Sequence, residues 1–172
     1  ERRPATPETV FHLASLTKPF AAVVLLQLVE AGQLDLDAPV GPMGVTLEAA
    51  GEIRVRHLLT HTSEGVPGRE FRYSGNRFAQ LDKVLNATAH RSFAELVGER
   101  ILGPLGLTNT SPNPFATNAC AAAGREPEVF ARRSARGYAF DGVTPVDYPR
   151  HFVTAAGLEY DGIGLGDSAG PV

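Results

Sequence analysis

The feature that most narrows the fold is the run from Phe20 to Val29. Phe20, Val23, Val24 and Leu28, with Leu25, Leu26 and Val29 beside them, set an apolar face at helical spacing. Pro19 marks where that helix begins, because the N–H groups of a first turn have no partner within the helix and proline lacks one. Ala31-Gly32 closes it, glycine being the residue that most readily takes the left-handed conformation at a helix end. The preceding Phe11-His12-Leu13-Ala14 is apolar and extended, so the chain turns at Ser15, which is expected at or near the N-cap. Gln27 and Glu30 break the apolar run well short of bilayer length, which makes it a core helix.

That turn holds the first candidate chemistry. Residues three apart on a helix share a face, their Cβ atoms roughly 5–6 Å apart, so Lys18 reaches the Ser15 hydroxyl. A serine hydroxyl becomes a nucleophile when a neighbouring base takes its proton, and a lysine serves only if burial or nearby positive charge keeps it neutral. The field of a helix N-terminus acts in that direction. Free N–H groups at the same turn offer half an oxyanion hole. With seven serines and two lysines in the chain, a Ser-x-x-Lys pair has a chance expectation of roughly 0.08, so the surrounding sequence has to decide its meaning.

A chain of 172 residues with net charge −3 suits one packed globular core, with room for a small subdomain. No Lys/Arg run with interleaved aromatics is present, and nucleic acid is not an expected partner. Cys120 is the sole cysteine, which excludes an internal disulfide. His12, His57, His61, His90 and His151 lack a Cys or carboxylate at ligand spacing, so neither a metal nor another cofactor is expected. The start, Glu1-Arg2-Arg3-Pro4, carries no secretory signal and reads like the middle of a domain. The expected location is cytoplasmic, or secreted if an N-terminal segment has been lost.

Beyond the first helix, Gln33 to Val40 alternates and runs into Pro/Gly turns through Gly44, a surface connection. Ile53 to Ser63 reads as a strand-like pair leading into a short helix, followed by a loop through Gly65 and Pro67 to Tyr73-Ser74-Gly75-Asn76. Phe78, Leu81, Val84, Leu85 and Thr88 predict one helix reaching Ala89. Ser92-Phe93-Ala94-Glu95 is a capping box opening another that ends near Gly103-Pro104. Asp141-Gly142, between Tyr138-Ala139-Phe140 and Val143 to Val146, predicts a tight hairpin.

Taken in order, FHLASLTKPF (Phe11 to Phe20), QLDLDAP (Gln33 to Pro39), IRVRHLLTHTS (Ile53 to Ser63), Tyr73-Ser74-Gly75, FAELVGERILGPLGLTNT (Phe93 to Thr110) and Ala155-Ala156-Gly157-Leu158 resemble the serine β-lactamase and penicillin-binding protein superfamily. The likeness is to its class C β-lactamase-like group, which includes esterases and D-aminopeptidases. The resemblance implies an α/β fold of the α+β kind, an antiparallel sheet flanked by helices with a mainly helical region over about 34–110. Residues 1–172 would form one domain, incomplete at both ends.

The resemblance further implies a serine hydrolase acting on an ester or amide, whether a β-lactam, a carboxylic ester or a D-amino-acid peptide. Ser15 would be the acylated nucleophile, Lys18 its base partner and Tyr73 the second proton carrier, a role suited to a phenol whose pKa an adjacent ammonium lowers. Gly75 stands where the family carries asparagine, as in some esterase-like members, and with Asn76 is a candidate substrate contact. His57 and His61 read best as residues that cap or pack the short helix, Arg69 and Arg72 as a solvated loop face. No Lys-Thr-Gly element follows, and Gly164-Leu165-Gly166 is its weak counterpart.

Two alternatives come from the same sequence. A silent or truncated homologue would bind peptides or a partner through the same cleft. Gly166-Asp167-Ser168-Ala169-Gly170-Pro171 is similar to a segment of chymotrypsin-like proteases, which would make Ser168 the nucleophile and His90 its base. The helical context of His90 argues against that fold.

Overall fold

A 3₁₀ turn over Ala14–Leu16 leads into helix α1, Thr17–Glu30. The computed structural model describes residues 4–11 and 13–110, together with the backbone of four short strands further on. Ala21, Val24, Leu25 and Leu28 form the buried face of α1, at the i, i+3, i+4, i+7 spacing of a single helical stripe. Val23 and Leu26, counted with that face in the sequence, are exposed because the helical period carries them round to the other side. At the C-terminal end the Gln33 N–H donates to the Leu28 carbonyl at 2.9 Å and Gly32 takes φ 67°, the left-handed closure expected there.

Leu16, not Ser15, occupies the N-cap position of α1 and provides no side-chain cap. Ser15 lies one residue earlier, inside the 3₁₀ turn, and its hydroxyl is therefore available to other groups.

The described residues group into two compact units, one over residues 15–97 and the other drawn from residues 4–14 and 98–161. In the first, helices α2 (Val55–Leu59), α3 (Gly75–Ala79), α4 (Leu81–Ala89) and α5 (Phe93–Val97) follow α1. Helix α4 touches α2, α3, α5 and the 3₁₀ turn Gly41–Met43, while α1 packs on α5. The interior is aliphatic: Val24, Leu25, Leu28, Val55, Leu58, Leu81, Val84 and Leu85 are all at most 2% exposed. Each such side chain contributes roughly 1.5–3 kcal/mol by leaving water.

Two expectations for this unit need correction, and a third holds. The segment from Gln33 to Val40 is more than a surface connection, since Leu34 and Val40 are buried and Pro39 bridges to Arg54. The single helix expected over 78–89 is two. The Gln80 N–H bonds back to Arg77 and the Lys83 N–H to Gln80, a tightened junction that turns both Phe78 and Leu81 inward. The capping box is present as read, with the Glu95 N–H donating to Ser92 Oγ at 3.3 Å and the Ser92 N–H to Glu95 Oε2 at 2.8 Å.

In the other unit a π turn over Gly98–Leu102 follows α5 in sequence, its Gly103 N–H reaching back to the Gly98 carbonyl at 2.9 Å. The extra residue in that turn lets the adjacent Ile101 and Leu102 both be buried. Strands β1 (Tyr138–Phe140) and β2 (Pro145–Asp147) pair antiparallel, as do β3 (His151–Val153) and β4 (Glu159–Asp161). Phe140 faces Pro145, so four residues, 141–144, separate β1 from β2 and the two-residue hairpin centred on Asp141-Gly142 is ruled out. Sequence periodicity does not reveal the β3–β4 pair.

Candidate active site

Ser15, Lys18 and Tyr73 meet. The Ser15 and Tyr73 hydroxyl oxygens lie 2.6 Å apart, and Lys18 Nζ donates to Ser15 Oγ at 3.0 Å. The i, i+3 spacing across the start of α1 explains the second contact, as the sequence anticipates. The first joins residues 58 apart in the chain. Lys18 Nζ also stands 4.9 Å from the centroid of the Tyr73 ring and 5.5 Å from that of Phe78, within the range of cation–π attraction. Immediately before the serine, Ala14 takes φ 46°, a left-handed conformation that costs a residue with a Cβ about 1–3 kcal/mol.

Hydrogen bonding with Lys18, then with Ser15, and the Lys18 charge hold the Tyr73 phenol below its ordinary value of 10.0, against a smaller opposing effect of desolvation. The ring is 56% exposed, so the shift comes from its partners and not from a dry pocket.

Tyr73 is fixed from behind by the segment that precedes it in sequence. His61 adopts φ 56° at the end of the turn after α2. Its carbonyl accepts the Arg72 N–H at 2.7 Å, and its Nδ1 accepts the Ser74 N–H at 3.2 Å. The imidazole lies 4.6 Å from the Tyr73 ring, is stacked at 5.3 Å on Phe78 and meets Phe71 edge-on at 5.8 Å. Arg77 adds a second tie: Nε donates to Ser63 Oγ at 2.8 Å, and Nη2 to the carbonyls of Ser63 at 2.7 Å and Glu48 at 3.1 Å. Ser63 is almost fully buried, and Arg77 satisfies it.

His57 has the capping role expected of it, its Nδ1 accepting the Arg54 N–H at 3.1 Å at the start of α2. Its Nε2 would lie 3.3 Å from a Cβ placed on Gly68, whose φ of 87° already favours glycine. Burial, then Arg54 and Arg56, push its pKa down, with Asp37 opposing. The sequence reading of His61 as a packing residue is correct but incomplete. Its hold on the N–H groups of Arg72 and Ser74, either side of Tyr73, depends on a left-handed residue and a chain reversal, neither of which has a period to detect.

Gly75 and Asn76 open α3 and are exposed. The Ser74 Oγ caps that helix by accepting the Arg77 N–H at 3.3 Å. Arg72 pairs with Glu70 at 3.0 Å in open solvent and Arg69 is exposed, the solvated face anticipated for both. His90 ends α4 in a left-handed conformation and is exposed. Ser168 and Gly164-Leu165-Gly166 lie outside the described residues, as does His12. Among the described residues there is no cluster of metal-ligating side chains and no helix long and apolar enough to cross a membrane.

The Ser15 hydroxyl is thus shared by a lysine one helical turn on and by a tyrosine 58 residues away. Residues 1–158 match the family model described as Beta-lactamase, and the chain belongs to that family.

Among curated relatives it is similar to Esterase EstB of Burkholderia gladioli, 46% identical over 67 residues covering 36% of this chain and 17% of that protein. It is also similar to the D-aminopeptidase of Gluconobacter oxydans, 29% identical over 141 residues covering 62% of this chain and 27% of that protein. The chain thus spans well under a third of the length of these relatives. Among solved structures, the octameric penicillin-binding protein homologue from Pyrococcus abyssi superposes with a TM-score of 0.69 at 26% identity, covering 86% of this chain and 41% of that one. The fold is therefore the α/β fold of that superfamily.

Proposed function

We propose that the chain carries the acylation centre of a serine hydrolase that cleaves carboxylic esters. The observation that carries this reading is the Ser15 Oγ–Tyr73 Oη contact of 2.6 Å with Lys18 Nζ on the same oxygen at 3.0 Å. Tyr73, whose pKa its partners depress, is the better base of the two, because Lys18 already donates to the oxygen whose proton must leave. Tyr73 takes the Ser15 proton as Oγ attacks the ester carbonyl, and the tetrahedral intermediate collapses as the phenol returns that proton to the departing alkoxide. Water then attacks the acyl-Ser15 ester with Tyr73 again as base. Ser15 is regenerated and the net change is ester plus water to acid plus alcohol.

Lys18 keeps the phenolate charge compensated throughout, and the Ser15 N–H serves as one oxyanion donor. Gly75 and Asn76, at the start of α3, border the substrate. The glycine in place of an amide-bearing residue, together with the likeness to an esterase, favours an ester over a β-lactam or a D-amino-acid peptide. In this reading residues 1–172 belong to one domain in which an antiparallel sheet is flanked by helices. Hydrolysis of p-nitrophenyl butyrate, abolished in Ser15→Ala and Tyr73→Phe and unaccompanied by nitrocefin turnover, is the expected result. Nitrocefin turnover that outpaces the ester would overturn the substrate assignment.

A further inference from the structure

We propose that His61 is a positioning residue that latches Tyr73 against Ser15, and that the latch holds only while its imidazole is neutral. This deepens the reading of Ser15 and Tyr73 as the reacting pair and rests on it for its consequence in catalysis. The geometry is specific. His61 holds the N–H groups of the residues on both sides of Tyr73, that of Arg72 by its carbonyl at 2.7 Å and that of Ser74 by Nδ1 at 3.2 Å, and lays its ring 4.6 Å from the phenol ring. A surface tyrosine that is 56% exposed has little burial to hold it in one rotamer, so this backbone grip supplies the fixity that a 2.6 Å contact with Ser15 requires.

The grip is titratable at one of its two points. Nδ1 accepts a proton-bearing N–H only as a lone pair, so a proton on Nδ1 ends that bond and turns two donors on each other. The charged group acting on the imidazole is Lys18 of α1, and Tyr73 is the titratable group in ring contact. Phe71 and Phe78 complete the packing without charge. Desolvation, then the Lys18 charge, disfavours the imidazolium, so His61 holds its neutral form to a lower pH than a free histidine of 6.5. Acid therefore breaks the Ser74 tie first, while the backbone bond from Arg72 survives, and Tyr73 leaves Ser15 without the chain unfolding.

The test follows the ring resonances of Tyr73 in [¹³C]tyrosine-labelled chain, assigned by their absence from Tyr73→Phe, from neutral pH down into acid. His61→Asn is the informative variant: asparagine tolerates positive φ, its Oδ1 still accepts a hydrogen bond, and it does not titrate. The wild type should show a step below pH 6.5 that is absent from His61→Asn. Fluorophosphonate labelling of Ser15 should fall through the same step in the wild type and persist into acid in the variant. Tyr73 resonances with no step in the wild type, or with the same step in His61→Asn, would overturn the latch. A chain that shows the step yet takes no label at any pH keeps the latch and overturns the hydrolase reading instead.

Discussion

Along α1, Val24, Leu25 and Leu28 have no exposed surface, whereas Ser15 and Tyr73 at its N-terminal end are exposed, Tyr73 at 56%. The middle of the helix is held by apolar burial, which is non-directional and tolerates small shifts. The N-terminal end is held by directional contacts of 2.6 and 3.0 Å that solvent can replace at little net cost, since a typical hydrogen bond contributes only about 0.5–1.5 kcal/mol over its competitor with water. Exposed groups held in this way need an external brace, and residues 61–63 provide it through His61 and Ser63. Stability and the proposed chemistry thus fall on different residues, and variants should separate them.

The sharpest way to break that separation is at Ser15. Ser15→Ala should lower ester hydrolysis by at least roughly 10³-fold, with a melting temperature close to wild type because exposed sites seldom shift stability beyond about 0.5 kcal/mol. Tyr73→Phe should cost on the order of 10²–10⁴ in rate, the usual contribution of a general base, again with little change in melting. A large drop in melting temperature in either variant would show that the site end is structural after all. At the other end, Leu28→Ala should destabilise by about 2–5 kcal/mol in chemical denaturation while activity per folded molecule stays near wild type.

Smaller effects sharpen the same contrast. Lys18→Met removes the first cause of the Tyr73 shift, so the phenolate absorbance assigned by difference against Tyr73→Phe should titrate at higher pH, towards 10.0. At the start of α5, Ser92→Ala removes a cap distant from the site in sequence and should cost about 1 kcal/mol with no change in rate. Hydrogen bonds from the Ser92 backbone and side chain hold the Glu95 carboxyl below its ordinary 4.5. The folded chain thus binds that proton less readily than the unfolded one. The contribution is complete above pH 4.5, declines as pH falls through the lower folded value, and should be smaller in the acid-denaturation profile of Ser92→Ala, which loses the side-chain bond and keeps the backbone one.

The parts of this molecule legible in the sequence are those fixed by local spacing. The Ser15–Lys18 contact follows from one helical turn, the closure of α1 from Gly32, and the Ser92–Glu95 box from its own four residues. Tyr73 is legible only as a segment matched in order to a family, because nothing local says that residue 73 returns to residue 15. The division at Gln80 escapes periodicity because tightening a single turn barely alters an apolar pattern. The latch of His61 escapes it altogether. It arises from a left-handed backbone at His61 and the reversal through Gly65 and Gly68, at φ 57° and 87°, and its spatial meaning emerges only once the chain has folded back.

In the proposed reaction, Ser15 is the residue that becomes acylated. Incubation of the chain with a fluorophosphonate, followed by peptide mapping of the adduct by mass spectrometry, tests it most directly. A single adduct on Ser15, lost in Ser15→Ala and strongly reduced in Tyr73→Phe, is the predicted result. An adduct on Ser168, or none at all on a chain shown to be folded, would contradict it.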